Sequence, residues 1–275
     1  MAHHTRKALF LDIDGTLLDD NIRISDANRS AIADALDDGH LVVLSSGRPL
    51  ESTRMQAEQL GLSGDGCFLI AYNGGVLYDC GSEKTLFSGT VPLPVVRGVF
   101  AEANRRGRYI QTYESGRVVI ESHNDGEEIR AYCARAKMDY VCVDDIGALS
   151  EAPNKLLAAD YRDHDALASF GAWINEHYAG ILDCFFSADP LLEIVPCGLD
   201  KGRALLMLAE LLSIPVADTV AVGDEVNDIP MIRAAGLGAA MANAVPAAKE
   251  AADYVTACDN NHSGVAEVIR KFILQ

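Results

Sequence analysis

Four short stretches of this 275-residue chain carry residue types that can do chemistry together. In Leu11-Asp12-Ile13-Asp14-Gly15-Thr16 an apolar run ends in two carboxylates two positions apart. Strand geometry sends both to one side, and Gly15 then permits a sharp turn. The same hexapeptide also suits a plain strand ending in an Asp-Gly turn. Ser45-Ser46-Gly47-Arg48 follows the apolar Leu41–Leu44. A hydroxyl, a flexible glycine and an arginine at a strand end can hold an anionic oxygen; equally, a serine there can cap the next helix. Gly198-Leu199-Asp200-Lys201-Gly202 puts a lysine at a helix start, the partially positive end of the macrodipole. That marks a task for Lys201, or only a solvated side chain costing about a few tenths of a kcal/mol. Gly223-Asp224-Glu225-Val226-Asn227-Asp228 sets Asp224 at another strand end and Asp228 near the first turn of a helix, where acids also serve as caps.

Taken together, the stretches read differently. If the strands before Asp12 and Asp224 lie centrally in one sheet, Asp12, Asp14, Asp224 and Asp228 crowd at its edge. Like charges that close raise one another's pKa and destabilise the fold. A divalent cation relieves the repulsion, and Mg²⁺ suits carboxylates, carbonyls and water.

The flanking residues supply such a sheet. Lys7–Asp12, Leu41–Leu44 and Cys67–Tyr72 read as buried strands, separated by a helix that Ser25 caps and another over Glu51–Leu60. Asn73-Gly74-Gly75 turns the chain into a hairpin strand at Val76–Tyr78. The pattern returns late, with helices at Gly202–Leu212 and Val226–Ala235 and strands at Thr219–Val222 and Gly238–Met241. Strands that alternate with helices imply an α/β fold with a Rossmann-like parallel sheet covered on both faces. Residues 84–188 break the pattern: Tyr109–Thr112 and Val118–Glu121 suggest antiparallel strands, and Val95–Asn104, Glu127–Ala136 and Ala166–Glu176 suggest helices. The expected organisation is a discontinuous core, 1–83 and 189–275, interrupted by an α+β domain over 84–188. Ligands of open parallel sheets collect at the carboxyl ends of the strands.

Composition narrows the partners. With 23 Lys+Arg against 40 Asp+Glu the formal net charge is −17, which repels nucleic acid. No run of about 18 apolar residues offers a membrane span. The apolar run before Asp12 is too short for a signal-peptide core, and His3 and His4 are assigned no role. Seven cysteines, odd in number and without CxxC spacing, fit neither a zinc site nor a disulfide framework and point to a reducing cytoplasm. Oligomeric state is not legible.

In this order, Asp12-Ile-Asp14-Gly-Thr-Leu, Ser46-Gly47-Arg48, Lys201 and Gly223-Asp224-Glu-Val-Asn227-Asp228 resemble the motifs of the haloacid dehalogenase superfamily of phosphotransferases. The long insertion is similar in layout to the type IIB cap of the Cof-like phosphatases. Further Cof-like features are Tyr72-Asn73-Gly74-Gly75, Glu193-Ile194-Val195-Pro196 and Met241-Ala242-Asn243-Ala244. The resemblance implies a phosphatase in which Asp12 is the nucleophile, Asp14 the acid and base, and Mg²⁺ the cofactor. It implies a metal site of Asp12, the Asp14 backbone carbonyl and Asp224, with Asp228 in support. Ser46 and Lys201 would meet the phosphoryl group, and Gly47, Asn73, Gly74 and Asn227 would face the substrate, a small phosphorylated metabolite such as a sugar phosphate. The role of Arg48 in the pattern can be structural. Asp14 separates the chain from dehalogenases and transporting ATPases, which lack an acid there. The alternatives are a phosphomutase, since phosphomannomutases share this core and a related cap, and a non-catalytic phosphate binder that keeps the fold, against which the acids at Asp12 and Asp14 weigh.

Within the insertion, Tyr113, Arg117 and Lys155 are candidates for substrate contact, but a hairpin would leave the first two solvated and Lys155 could sit at a sheet rim. Trp173, beside Phe170 and Ile174 on one helix, reads as core. His164, His177 and His262 lack metal-ligand spacing.

Overall fold

A computed structural model describes residues 5–274; His3 and His4 lie outside them. The chain begins with strand β1 (Ala8–Asp12), helix α1 (Asp26–Asp37), β2 (Leu41–Ser45), α2 (Leu50–Leu60), β3 (Cys67–Ala71), β4 (Val76–Asp79) and β5 (Lys84–Ser88). There follow α3 (Leu93–Arg105), β6 (Tyr109–Glu114), β7 (Arg117–Glu121), α4 (Glu127–Ala136), β8 (Tyr140–Val143), β9 (Leu156–Ala159), α5 (His164–His177), β10 (Leu182–Ala188) and β11 (Leu191–Pro196). The last part is α6 (Lys201–Leu211), β12 (Thr219–Gly223), α7 (Ile229–Ala234), β13 (Leu237–Ala240), α8 (Pro246–Ala251), β14 (Tyr254–Val255) and α9 (Gly264–Val268).

Two compact units result. The larger runs to Gly47, takes in Thr53–Phe87 and resumes at Asp200; the smaller comprises Arg48–Ser52 and Ser88–Leu199. In the larger, eight strands order as β14-β13-β12-β1-β2-β3-β4-β5, parallel from β14 to β3, with β4 antiparallel to β3. Period two explains how β1 serves both faces. Ala8 and Phe10 join Leu41, Val43, Phe68, Ile70 and the apolar residues of α6 in one core cluster. Leu9 and Leu11, fully buried, point the other way. Ser25 caps α1 as expected, its hydroxyl accepting from the Asn28 N–H.

The smaller unit is α+β: six strands order as β10-β11-β9-β6-β7-β8, and Ile110, Leu156, Leu192 and Ile194 pack with Phe100, Phe170 and Ile174 of its helices. The expected bounds of 84 and 188 shift at both ends. β5 hydrogen-bonds as the edge of the larger sheet, and Glu193-Ile194-Val195-Pro196 is not core but β11, paired between β10 and β9. Alternation decides it, because Leu192 and Ile194 bury into the smaller unit's apolar cluster. The helix expected over Val226–Ala235 opens as a 3₁₀ turn, Val226–Asp228, before α7, where Pro230 sits in the first turn.

Candidate active site

The order β12-β1-β2 brings three strand ends together. Leu11 pairs with Val222, and Asp12 pairs with Ser45, so the loops after Asp12, Ser45 and Gly223 emerge side by side. Lys201, the first residue of α6, reaches in from the helix side. Its Nζ donates to Asp12 Oδ1 and to Asp228 Oδ1, each at 2.6 Å, and only 1% of the residue is exposed. A cation at a helix N-terminus, unfavourable by dipole, is here held by two carboxylates.

Asp228 is the organiser. Besides the lysine it accepts the N–H groups of Asp224 and Glu225 on Oδ2, both at 3.0 Å. Thr16 Oγ1 donates to Asp224 Oδ1 at 2.7 Å, tying the first loop to the last. Oxygens of Asp12, Asp224 and Asp228 lie within 4.8 Å of one another. Gly15 makes the approach possible: its φ is +82°, and a Cβ there would stand 2.3 Å from Asp224 Oδ2. The Asp14 side chain is exposed and does not belong to this trio.

A second group adjoins through Ser46. The Asn73 N–H donates to Ser46 O at 3.0 Å, and Asn227 Nδ2 donates to Asn73 Oδ1 at 3.0 Å. Gly74, at φ +104°, passes so close to α6 that a Cβ would meet Asp200 O at 2.4 Å. Thus Ser46, Gly47, Asn73, Gly74 and Asn227 form one connected wall, built from the loops after β2, β3 and β12.

The electrostatics follow from burial. Desolvation, then repulsion from Asp228, pushes the Asp12 carboxyl well above its ordinary range, although Lys201 pulls it down. Burial likewise raises Asp224 to about 7, against the Thr16 hydrogen bond. Burial lowers the Lys201 ammonium, but Asp12 and Asp228 outweigh that and leave it above its usual value, hence charged. Three carboxylates therefore face one ammonium. Lys201 occupies Oδ1 of Asp12, and Thr16 occupies Oδ1 of Asp224. Three carboxylates with oxygens this close, in a site of excess negative charge, offer hard donors that fit a divalent cation.

Thr16 is the contributor that sequence reasoning passed over, although it lies inside the first motif. In the smaller unit, two expectations change. Lys155 is not at a rim: it is 2% exposed and pairs with Glu193 at 2.7 Å. Tyr113 is buried rather than solvated, its hydroxyl bonded to Tyr132 at 2.6 Å and to Gln111 Nε2 at 2.9 Å. Arg117 is exposed, and Trp173 stacks on Phe170 with centroids 6.2 Å apart.

Comparison with known proteins identifies the family. Residues 9–269 match the sequence profile of the haloacid dehalogenase-like hydrolases. The chain is 31% identical over 273 residues to the 5-amino-6-(5-phospho-D-ribitylamino)uracil phosphatase YcsE of Bacillus subtilis, covering 98% of this chain and 96% of that protein. It is 28% identical to phosphatase YwpJ of the same organism, covering 97% and 100%. A haloacid dehalogenase-like hydrolase from Bacteroides thetaiotaomicron superposes with a TM-score of 0.88 at 31% identity, covering 97% and 99%. The chain belongs to the haloacid dehalogenase-like hydrolase family, as a phosphatase of the Cof-like kind.

Proposed function

We propose that the chain is a Mg²⁺-dependent phosphatase that hydrolyses phosphomonoesters of small metabolites, sugar and polyol phosphates in particular, through an aspartyl-phosphate on Asp12. One observation carries the reading: Lys201 bridges Asp12 and Asp228 while Asp224 stands within metal-sharing distance of both. An ammonium fixed to Oδ1 orients the Asp12 carboxylate and leaves Oδ2 as the attacking atom. That oxygen bonds to phosphorus as the bond from phosphorus to the substrate's ester oxygen breaks. Asp14, whose side chain is exposed, acts as the acid that gives a proton to the departing alkoxide. It then takes a proton from the water that attacks phosphorus, which frees Asp12 and releases inorganic phosphate. Ser46 and Lys201 meet the phosphoryl oxygens, and Gly47, Asn73, Gly74 and Asn227 line the substrate side.

The Asp12 and Asp224 carboxylates and the Asp14 backbone carbonyl would hold Mg²⁺. Asp228, which already accepts three donors, supports them from behind. When bound, the ion supplies positive charge between these acids and the substrate phosphate. The substrate class draws support from YcsE, whose named substrate is a phosphate ester on a ribityl chain. Free cysteines throughout support a reducing, cytoplasmic setting, and no helix among the described residues is long and apolar enough to cross a membrane.

A panel of sugar, polyol and aryl phosphates, assayed for inorganic phosphate with Mg²⁺ or with EDTA, tests the reading. Phosphate release that needs Mg²⁺ and vanishes in Asp12→Asn is expected. Transfer of the phosphoryl group to a sugar monophosphate, giving a sugar bisphosphate without release of phosphate, would mark a phosphomutase instead, and tight binding without turnover a mere binder.

A further inference from the structure

Three asparagines that the chemistry above does not use grip the segment between β1 and α1. Asn243 Nδ2 donates to Gly15 O at 2.8 Å, and Asn243 Oδ1 accepts the Asn260 N–H at 3.1 Å. Asn260 Nδ2 in turn donates to Leu18 O at 3.0 Å and to Asp20 Oδ1 at 3.1 Å. Asn261 closes the far end, donating to Asp20 Oδ2 at 3.2 Å and accepting the Asp20 N–H at 3.1 Å. The segment is thus held at Gly15, Leu18 and Asp20 by the loops that follow β13 and β14.

What lies inside the grip is Asp14. The Leu18 N–H donates to Ile13 O at 3.0 Å, and Asp14 bridges to Leu18, so the clasped carbonyls of Gly15 and Leu18 flank Asp14 in space. Asp14 is exposed, so burial does not fix it, and the path of its backbone sets the point from which its side chain starts. That backbone turns at once through Gly15 at φ +82°, a conformation that few residues favour and that needs outside support. Asn243 is itself exposed, so burial of apolar area does not account for it.

We propose that Asn243 and Asn260 are positioning residues that aim Asp14 at the leaving-group oxygen. The inference rests on the reading of Asp14 as proton donor. Its signature is selective. A departing alkoxide needs a proton in the transition state, whereas para-nitrophenolate is stable enough to leave without one. Misplacing the acid therefore slows alkyl phosphates more than aryl phosphates, while general damage to the site slows both alike.

The test compares the full-length wild type, Asn243→Ala, Asn243→Gln and Asp14→Asn. For each, kcat is measured on para-nitrophenyl phosphate and on the fastest alkyl phosphate of the panel, beside the thermal midpoint and the Mg²⁺ dependence. In Asn243→Ala the alkyl-to-aryl ratio falls roughly tenfold or more, with Mg²⁺ dependence and midpoint close to wild type. Asn243→Gln, which keeps the amide's donor and acceptor on a longer stem, recovers part of the ratio. A ratio lowered in Asp14→Asn but unchanged in Asn243→Ala overturns the clasp alone. A ratio unchanged in Asp14→Asn overturns the donor reading and the clasp with it.

Discussion

The Thr16 hydroxyl donates to Asp224 Oδ1 at 2.7 Å and so joins the loop after β1 to the loop after β12. One oxygen of Asp224 is spoken for, and the other points to where Gly15 has no side chain. The bond therefore sets which way the Asp224 carboxylate faces.

Thr16→Val keeps the shape and removes the donor. The expected result is a rise of roughly tenfold in the Mg²⁺ concentration for half-maximal rate, with a smaller change in the rate at saturation. Titrating activity with Mg²⁺ checks it; an unchanged midpoint contradicts this role for Thr16.

Lys201→Met removes the ammonium that pairs with both Asp12 and Asp228. Both carboxylates are then left to repel each other in a buried site, and the nucleophile loses its anchor. Turnover should fall by roughly 10² or more at saturating Mg²⁺. Steady-state kinetics on one substrate suffice, and near-normal kcat would contradict the assignment.

Metal and pH are linked through the buried acids. Burial raises Asp224 from 3.8 to about 7 in the metal-free protein, and raises Asp12 in the same direction. Between those values the folded state holds a proton that the unfolded state has lost, so the contribution to stability is present at low pH and disappears as pH rises through about 7. Mg²⁺ bound as proposed would replace that proton. The gain in thermal midpoint on adding Mg²⁺ should therefore be larger at pH 8 than at pH 5.5; the opposite order, in melts with Mg²⁺ against EDTA, would contradict it.

The smaller unit offers a test of stability alone. Lys155 and Glu193 pair at 2.7 Å with almost no exposure, and Ser187 Oγ donates to the same carboxylate at 2.7 Å. Lys155→Met leaves that carboxylate buried without its cation and should cost about 3–5 kcal/mol. Lys155→Met with Glu193→Gln should recover much of the loss, because no unpaired charge remains. Denaturant unfolding of both variants decides it.

These residues also show how far the sequence could be read. The meeting of Asp12, Asp224 and Asp228 is legible because strand ends and turns are local patterns, whereas the expected crowding of Asp14 with them is not what the structure shows; Lys201 stands out because its place defies the helix dipole. β5 is not legible, since Lys84, Thr85 and Leu86 are exposed and show no buried face to alternate with. β11 falls outside the expected bound at 188 because an apolar strand reads alike in either unit; only pairing with β9 and β10 reveals where it belongs. The Thr16–Asp224 and Lys155–Glu193 partnerships are tertiary facts. No spacing along the chain encodes them.

Trapping the phosphorylated enzyme tests the central claim most directly. The protein is mixed with a ³²P-labelled sugar phosphate and Mg²⁺, quenched in acid during turnover, digested, and its labelled peptide sequenced. A base-labile phosphate on Asp12, absent from Asp12→Asn, is the predicted result; steady release of phosphate with label on another residue, or with unchanged rate in Asp12→Asn, would contradict it.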